Sequence, residues 1–296
     1  MPSWRLRDVR GRVIQFADPY FVYAASGVGI APAVHVARRA VYLDGEQFED
    51  GFYDARVAQL GVDILADAAG ALPGLRDALY RMLAPMRQGC YLTRVREDGS
   101  EREILARLVG SLDMPREVRQ SGAHQRVVLT LRCAQPHWYD PTATLWVYNV
   151  GGGVGSFGFP VGFPAGFGVS AIDVTETNVY GGHIDVYPEI RITGPATDVI
   201  IENLTLDTTL DLATLAYVIV PGEVVTIALG DERKTITSSV SGNILEYLSD
   251  DSDLGEWRIA AHPTAADGRN TIRVQLQGAT NATEVVIQFN TLYAGV

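Results

Sequence analysis

Between Gln135 and Pro195 the chain carries glycine and proline at a density that prevents a continuous helix or central strand. The stretch opens with Gln135-Pro136-His137-Trp138-Tyr139-Asp140-Pro141, which closes an alternating strand. It continues through Gly151-Gly152-Gly153-Val154-Gly155-Ser156-Phe157-Gly158-Phe159-Pro160-Val161-Gly162-Phe163-Pro164 and ends at Tyr187-Pro188-Glu189-Ile190-Arg191-Ile192-Thr193-Gly194-Pro195, where new strands begin. The expected organisation is an N-terminal β domain with one helix over 1–148, a Gly/Phe/Pro-rich connector over 149–180, and a C-terminal β-sandwich over 181–296. With 296 residues and 47% apolar content, each half can build its own core. Phe157, Phe159, Phe163 and Phe167 favour burial at about 1.5–3 kcal/mol each. The connector is therefore expected to lie along its own chain or a neighbouring subunit, since a free linker favours serine or charge.

The first half reads as strands around a single helix. Leu75, Leu79, Met82 and Leu83 form one apolar stripe between Pro73, suited to a first helical turn, and Pro85, which stops the helix. Tyr91–Arg96 and Ile104–Val109 flank Asp98-Gly99, the best hairpin signal in the sequence. Val34, Val36, Val41 and Leu43 form a β-rich run ended by Asp44-Gly45, and Val127, Leu129, Leu131 and Cys133 alternate as a half-buried strand does.

The second half reads as nearly all strand. Val225, Ile227 and Leu229 alternate, as do Ile272, Val274 and Leu276, then Val285, Ile287 and Phe289. Val199-Ile200-Ile201 and Tyr217-Val218-Ile219-Val220 read as buried on both faces. Short strands separated by turn residues indicate a sandwich or jelly roll.

Charge and chemistry narrow the function classes. Residues 1–148 hold 18 Lys and Arg against 17 Asp and Glu; residues 149–296 hold 6 against 18, a net of −12. Such a half repels nucleic acid and anionic lipid. No apolar run of about 18 residues marks a membrane span. Cys90 and Cys133 are too few for a disulfide scaffold and read as buried thiols. Gly153-x-Gly155-x-x-Gly158 matches a dinucleotide fingerprint by letter, but Phe159-Pro160 follows where a helix is required. Asp250-Asp251-Ser252-Asp253-Leu254-Gly255-Glu256 lacks most of a calcium-loop pattern and reads as a solvated acidic turn. His35, His124, His137, His183 and His262 form no metal-ligand spacing, and His183-x-Asp185 has no nucleophile motif beside it. No catalytic, cofactor-binding or metal-binding residue is therefore named, and no cofactor is expected. Trp146, Tyr148, Tyr180, Tyr187, Tyr217, Tyr247, Trp257 and Tyr293 read either as β-core packing or as a sugar-stacking platform.

Taken in order, these motifs resemble one family over nearly the whole chain: the distal tail proteins of long-tailed phages, the siphovirus tail-component family. The helix around Leu75-Arg76-Asp77-Ala78-Leu79 and the Asp98-Gly99 hairpin are similar to its ring-forming domain, and Gln135-Pro136-His137-Trp138-Tyr139-Asp140 to its end-of-domain motif. Tyr187–Pro195, Ile201-Glu202-Asn203-Leu204-Thr205, Pro221-Gly222-Glu223-Val224-Val225-Thr226-Ile227 and Asn270-Thr271-Ile272 are similar to successive elements of its second half. One departure is Asp267-Gly268-Arg269, which stands where proline-glycine is usual.

The resemblance implies an N-terminal sandwich or split-barrel ring domain followed by a galectin-like sandwich, without an active site. It implies a homo-hexameric ring at the virion tail tip that joins the tail tube protein to the tail-tip hub and receptor-binding proteins. Gene transfer agents and bacteriocins use similar proteins. The alternative reading is a carbohydrate-binding module that contacts host glycans through the C-terminal sandwich; it predicts an exposed groove with two or more stacked aromatics.

Overall fold

The computed structural model describes residues 3–38, 44, 46–68, 70–84, 88–110, 112, 123–149, 171–230 and 234–296. The chain forms two compact units, one of Met1–Pro141 with Tyr293–Val296 and one of Thr142–Leu292. Among the described residues it is mainly β with one α-helix.

In chain order the first unit holds Ser3–Asp8 (β1), Val13–Phe16 (β2), Tyr20–Ser26 (β3), Ala33–Arg38 (β4), Gln47–Tyr53 (β5), Arg56–Leu65 (β6), the helix Leu72–Leu83 (α1), Cys90–Val95 (β7), Glu101–Leu108 (β8), His124–Cys133 (β9) and Trp138–Tyr139 (β10). Its strands pair in the order β2-β1-β7-β8-β9-β6-β3. β8 meets β9 only at Arg107↔Arg132 and Leu108↔Leu131, whereas β6 and β9 pair along their full length. Strict alternation gives each strand one buried face. Leu6, Leu92 and Ile104 from one arm of the sheet share a core with Leu60, Val62, Leu129 and Leu131 from the other. α1 begins with proline in its first turn and buries Leu72, Leu79, Met82 and Leu83 in that core, with Leu75 half-buried; the expected stop at Pro85 lies outside the described residues. The Asp98-Gly99 turn joins β7 to β8 as read, with Gly99 at φ +83°.

The second unit holds Thr144–Asn149 (β11), Ala171–Val179 (β12), Glu189–Thr193 (β13), Thr197–Asn203 (β14), Thr208–Asp211 (β15), Val224–Ala228 (β16), Thr235–Ser238 (β17), Gly242–Asn243 (β18), Arg269–Gln277 (β19) and Glu284–Phe289 (β20), followed by Leu292–Tyr293 (β21), which pairs with β10. One sheet runs β11-β20-β13-β16-β17-β18 and the other β12-β19-β14-β15. Ile190, Ile192, Val225, Ile227, Val285 and Ile287 from the first pack with Ile172, Val199, Ile201, Ile272, Val274 and Leu276 from the second. Two sheets, each apolar on one face, bury those faces together, which is a β-sandwich.

Several expectations need correction. The boundary falls at Pro141, not 148, because β11 pairs with β20 of the second unit over Thr144↔Phe289 to Asn149↔Glu284. The stretch expected to be a connector over 149–180 includes β12, which pairs with β19 along nine residues. Residues 150–170, with their phenylalanines and the Gly153-x-Gly155-x-x-Gly158 pattern, lie outside the described residues; in sequence they join two strands of one unit, not the two units. Tyr293–Val296 belong to the first unit and not to the sandwich. Tyr217–Val220 are not buried on both faces: Tyr217 and Ile219 are buried, whereas Val218 and Val220 are exposed. Val199 and Ile201 are likewise buried while Ile200 is only half-buried, since β14 has a single inward face. Val41, Leu43 and Gly45 lie outside the described residues.

Candidate assembly surfaces

The motifs that carried the sequence reading turn out to be buried polar bolts. Trp138 is fully buried, its ring 6.2 Å from that of Trp4. Tyr139 donates its hydroxyl to Glu103 Oε1 at 3.0 Å, and burial followed by the Glu103 charge pushes its pKa well up. Glu103, itself buried, also accepts from Arg7 at 2.7 Å and Thr93 at 3.0 Å. In the second unit Asn203 donates to the Arg258 carbonyl at 2.8 Å, and Asn270 bonds both backbone groups of Ala260 at 2.9 Å. Gly268, at φ +68°, is where a Cβ would overlap the Tyr180 carbonyl oxygen, which explains the glycine in Asp267-Gly268-Arg269.

Glu223 is buried and accepts from Tyr217 at 2.6 Å, from the Val220 N–H at 2.8 Å and from the Ser238 hydroxyl. Burial alone would raise its pKa; the three hydrogen bonds outweigh that and hold it below its ordinary value. Buried polar groups of this kind must be bonded, and they fix one packing arrangement.

The last four residues complete the first unit. Arg56, 1% exposed, donates to the carbonyls of Gly29 and Ala294 at 2.8 Å each. Arg102 donates to the Gly295 carbonyl and stacks 3.8 Å from the centre of the Tyr293 ring. A cleft of about 610 Å³ beside this tail is lined by Trp4, Val28, Arg94, Glu97, Asp98 and Val296. Arg94 stacks on Trp4 there at 4.7 Å. The cleft brings together no nucleophile and base.

The residues weighed for chemistry do structural work. Asp253 accepts from the Thr209 N–H at 2.9 Å and Ser252 from the Asp211 N–H at 2.9 Å, so the acidic run braces β15. Asp185 pairs with Arg258 at 2.8 Å. Cys90 and Cys133 are buried free thiols whose pKa values burial pushes up to about 12 and about 11. Among the described residues no three His, Cys, Asp or Glu side chains converge. Trp146, Tyr148, Tyr180, Tyr217 and Trp257 are buried; Trp146 and Tyr180 meet Phe289 edge-on, and Tyr187 and Tyr247 are half-buried against the same core. They form core, and the described residues of the second unit present no exposed aromatic platform for a sugar.

Two surfaces of the first unit are left bare. Among the described residues β4 and β5 pair only with each other, inserted between β3 and β6, and all six residues of β4 and all seven of β5 are exposed. Register puts Val34, Val36, Phe52 and Asp50 on one face of this arm, and Tyr53, His35 and Phe48 on the other, where the rings of His35 and Phe48 lie 5.5 Å apart. Phe48 is 62% exposed. A two-stranded ribbon with apolar side chains on both faces is marginal alone in water. The second surface is the outward face of β3-β6-β9. There Phe21, Tyr23, Val57 and Val128 are exposed among Arg107, Arg126 and Arg132. Tyr23 covers Gly61, where a Cβ would strike its ring, and carries the Arg126 guanidinium at 4.9 Å. Sequence reasoning placed a strand at Val34 and Val36 but could not see that both faces of the arm are exposed, with Tyr53 meeting the His137 ring at 5.3 Å.

A helix-bearing sheet followed by a C-terminal sandwich is the fold this chain shares with a phage protein of known structure. In particular, the chain is similar to the SPP1 Dit protein, a hub adsorption apparatus component of a phage infecting Gram-positive bacteria, with a TM-score of 0.61 at 12% identity, covering 97% of this chain and 98% of that one. Two structures of the phage p2 baseplate in its activated conformation, with Ca and with Sr, match at TM-scores of 0.49 and 0.47 and 10% identity, over 97% and 98% of this chain and 98% of theirs. No family model matches the chain, and no curated protein matches it by sequence.

Proposed function

We propose that the protein is a structural component of the tail tip of a phage or phage-like particle: a ring hub that joins the tail tube to the adhesion apparatus. The fold shared with SPP1 Dit over 97% of the chain carries this reading. The bare arm β4–β5 supports it independently. In a cyclic ring each subunit offers one patch to a different patch on the next, and an element exposed on both faces suits that use. The first unit would build the ring, and the acidic second unit would carry further tail-tip proteins. We read the protein as non-enzymatic, since its buried titratable groups bolt strands together and do not line a substrate cleft. The carbohydrate-binding alternative loses its main support with the burial of the second unit's aromatics.

Native mass spectrometry and negative-stain imaging of the purified full chain test the proposal. A closed ring, six copies by the family resemblance, is the expected result. A chain that stays monomeric at tens of micromolar overturns it.

A further inference from the structure

Building on that ring reading, we infer that the β4–β5 arm of one copy docks on the outward face of β3-β6-β9 of the next copy, and that opposite charge selects the pairing. The arm's outgoing strand and its flanks are acidic: Glu46, Glu49, Asp50 and Asp54 stand around Phe48, Phe52 and Tyr53. The sheet face is basic. Arg107 and Arg132 sit side by side in register with Val57 at the end of one row, and Arg126 sits beside Asp63 at the other end. Of these, Arg126 is already paired with Asp63 at 2.9 Å, whereas Arg107 and Arg132 make no ion pair among the described residues. Val128, 51% exposed, and Tyr23, 49% exposed, lie between the two ends and supply the apolar centre. β5, of seven residues, spans roughly 23 Å at about 3.3 Å per residue, the same as the run of β6 from Val57 to Asp63 that it would cover.

Both surfaces thus combine an apolar middle with charge predominantly of one sign, Arg38 on β4 and Asp63 on β6 being the exceptions, and the predominant signs are opposite. Apolar area supplies attraction, while the charges fix register and reject the wrong partner. Arm against arm or face against face would juxtapose like charges, so the contact is heterologous, which is what closes a ring.

The test is a charge swap in the full-length protein. One variant carries Glu49→Arg with Asp50→Arg on the arm; the other carries Arg107→Glu with Arg132→Glu on the face. Each variant alone should lose the ring in native mass spectrometry, because arm and face then share a sign. Mixed one to one, they should recover rings of even copy number, because every contact again joins opposite charges. Recovery also shows that both variants are folded. Rings formed by either variant alone, or no recovery on mixing while the unaltered protein still forms rings, would overturn the docking and leave the ring reading standing. An unaltered protein that forms no ring would remove both.

Discussion

At the residue scale, the family-like motifs mark positions where a buried polar group has to be satisfied. Glu223 shows the consequence for stability. Its pKa in the folded protein lies below the ordinary value of 4.5. The stability it contributes is therefore fully present above about pH 4.5 and is lost as pH falls through the lower, folded value. Glu223→Gln turns an acceptor facing the Val220 N–H into a donor or leaves Tyr217 and Ser238 misaligned. It should cost the second unit about 1–3 kcal/mol at neutral pH. Urea unfolding of both proteins at pH 7 and pH 3 should show the gap shrinking on acidification; an equal gap at both values would mean that the ionised carboxylate is not what matters. Sequence pattern located Pro221-Gly222-Glu223, Asn203 and Asn270, but not their work. Glu103 drew no attention at all, because two of its partners, Arg7 and Tyr139, come from strands distant in sequence, and only Thr93 lies across the β7–β8 hairpin.

At the element scale, the most legible pieces were those whose signal is local. The α1 stripe, the Asp98-Gly99 turn and the alternations of β9, β16, β19 and β20 follow from helical or two-residue periodicity, which the sequence displays directly. Leu79→Ala should cost about 2–5 kcal/mol by opening a cavity under the helix. It should lower the first unit's transition in calorimetry and leave the second unit's in place. What could not be read locally was pairing. An apolar Tyr217–Val220 looks like a strand buried on both faces until one sees that only Ile219 bridges, to Ala196. A Gly/Phe/Pro-rich segment looks like a hinge between domains until β11 and β12 on either side of it prove to pair within one sandwich.

At the scale of the molecule, net charge follows the structural division: 142–148 and 293–296 contain no charged residue, so the first unit keeps a net of +1 and the second −12. The sequence announced two bodies but not the return of the chain's last residues to the first of them. That return depends on carbonyl groups, which every residue has, so no residue type signals it. Removing 293–296 should leave Arg56 and Arg102 buried without these acceptors, at a cost to the first unit of about 2–4 kcal/mol. Two-transition calorimetry of the truncated chain should show the lower stability in that unit only; an unchanged pair of transitions would mean that water replaces the tail at no cost.

The tail also sets an order of events during synthesis. Residues 293–296 leave the ribosome only after the entire sandwich has been made, so the body that bears the arm is the last to be finished.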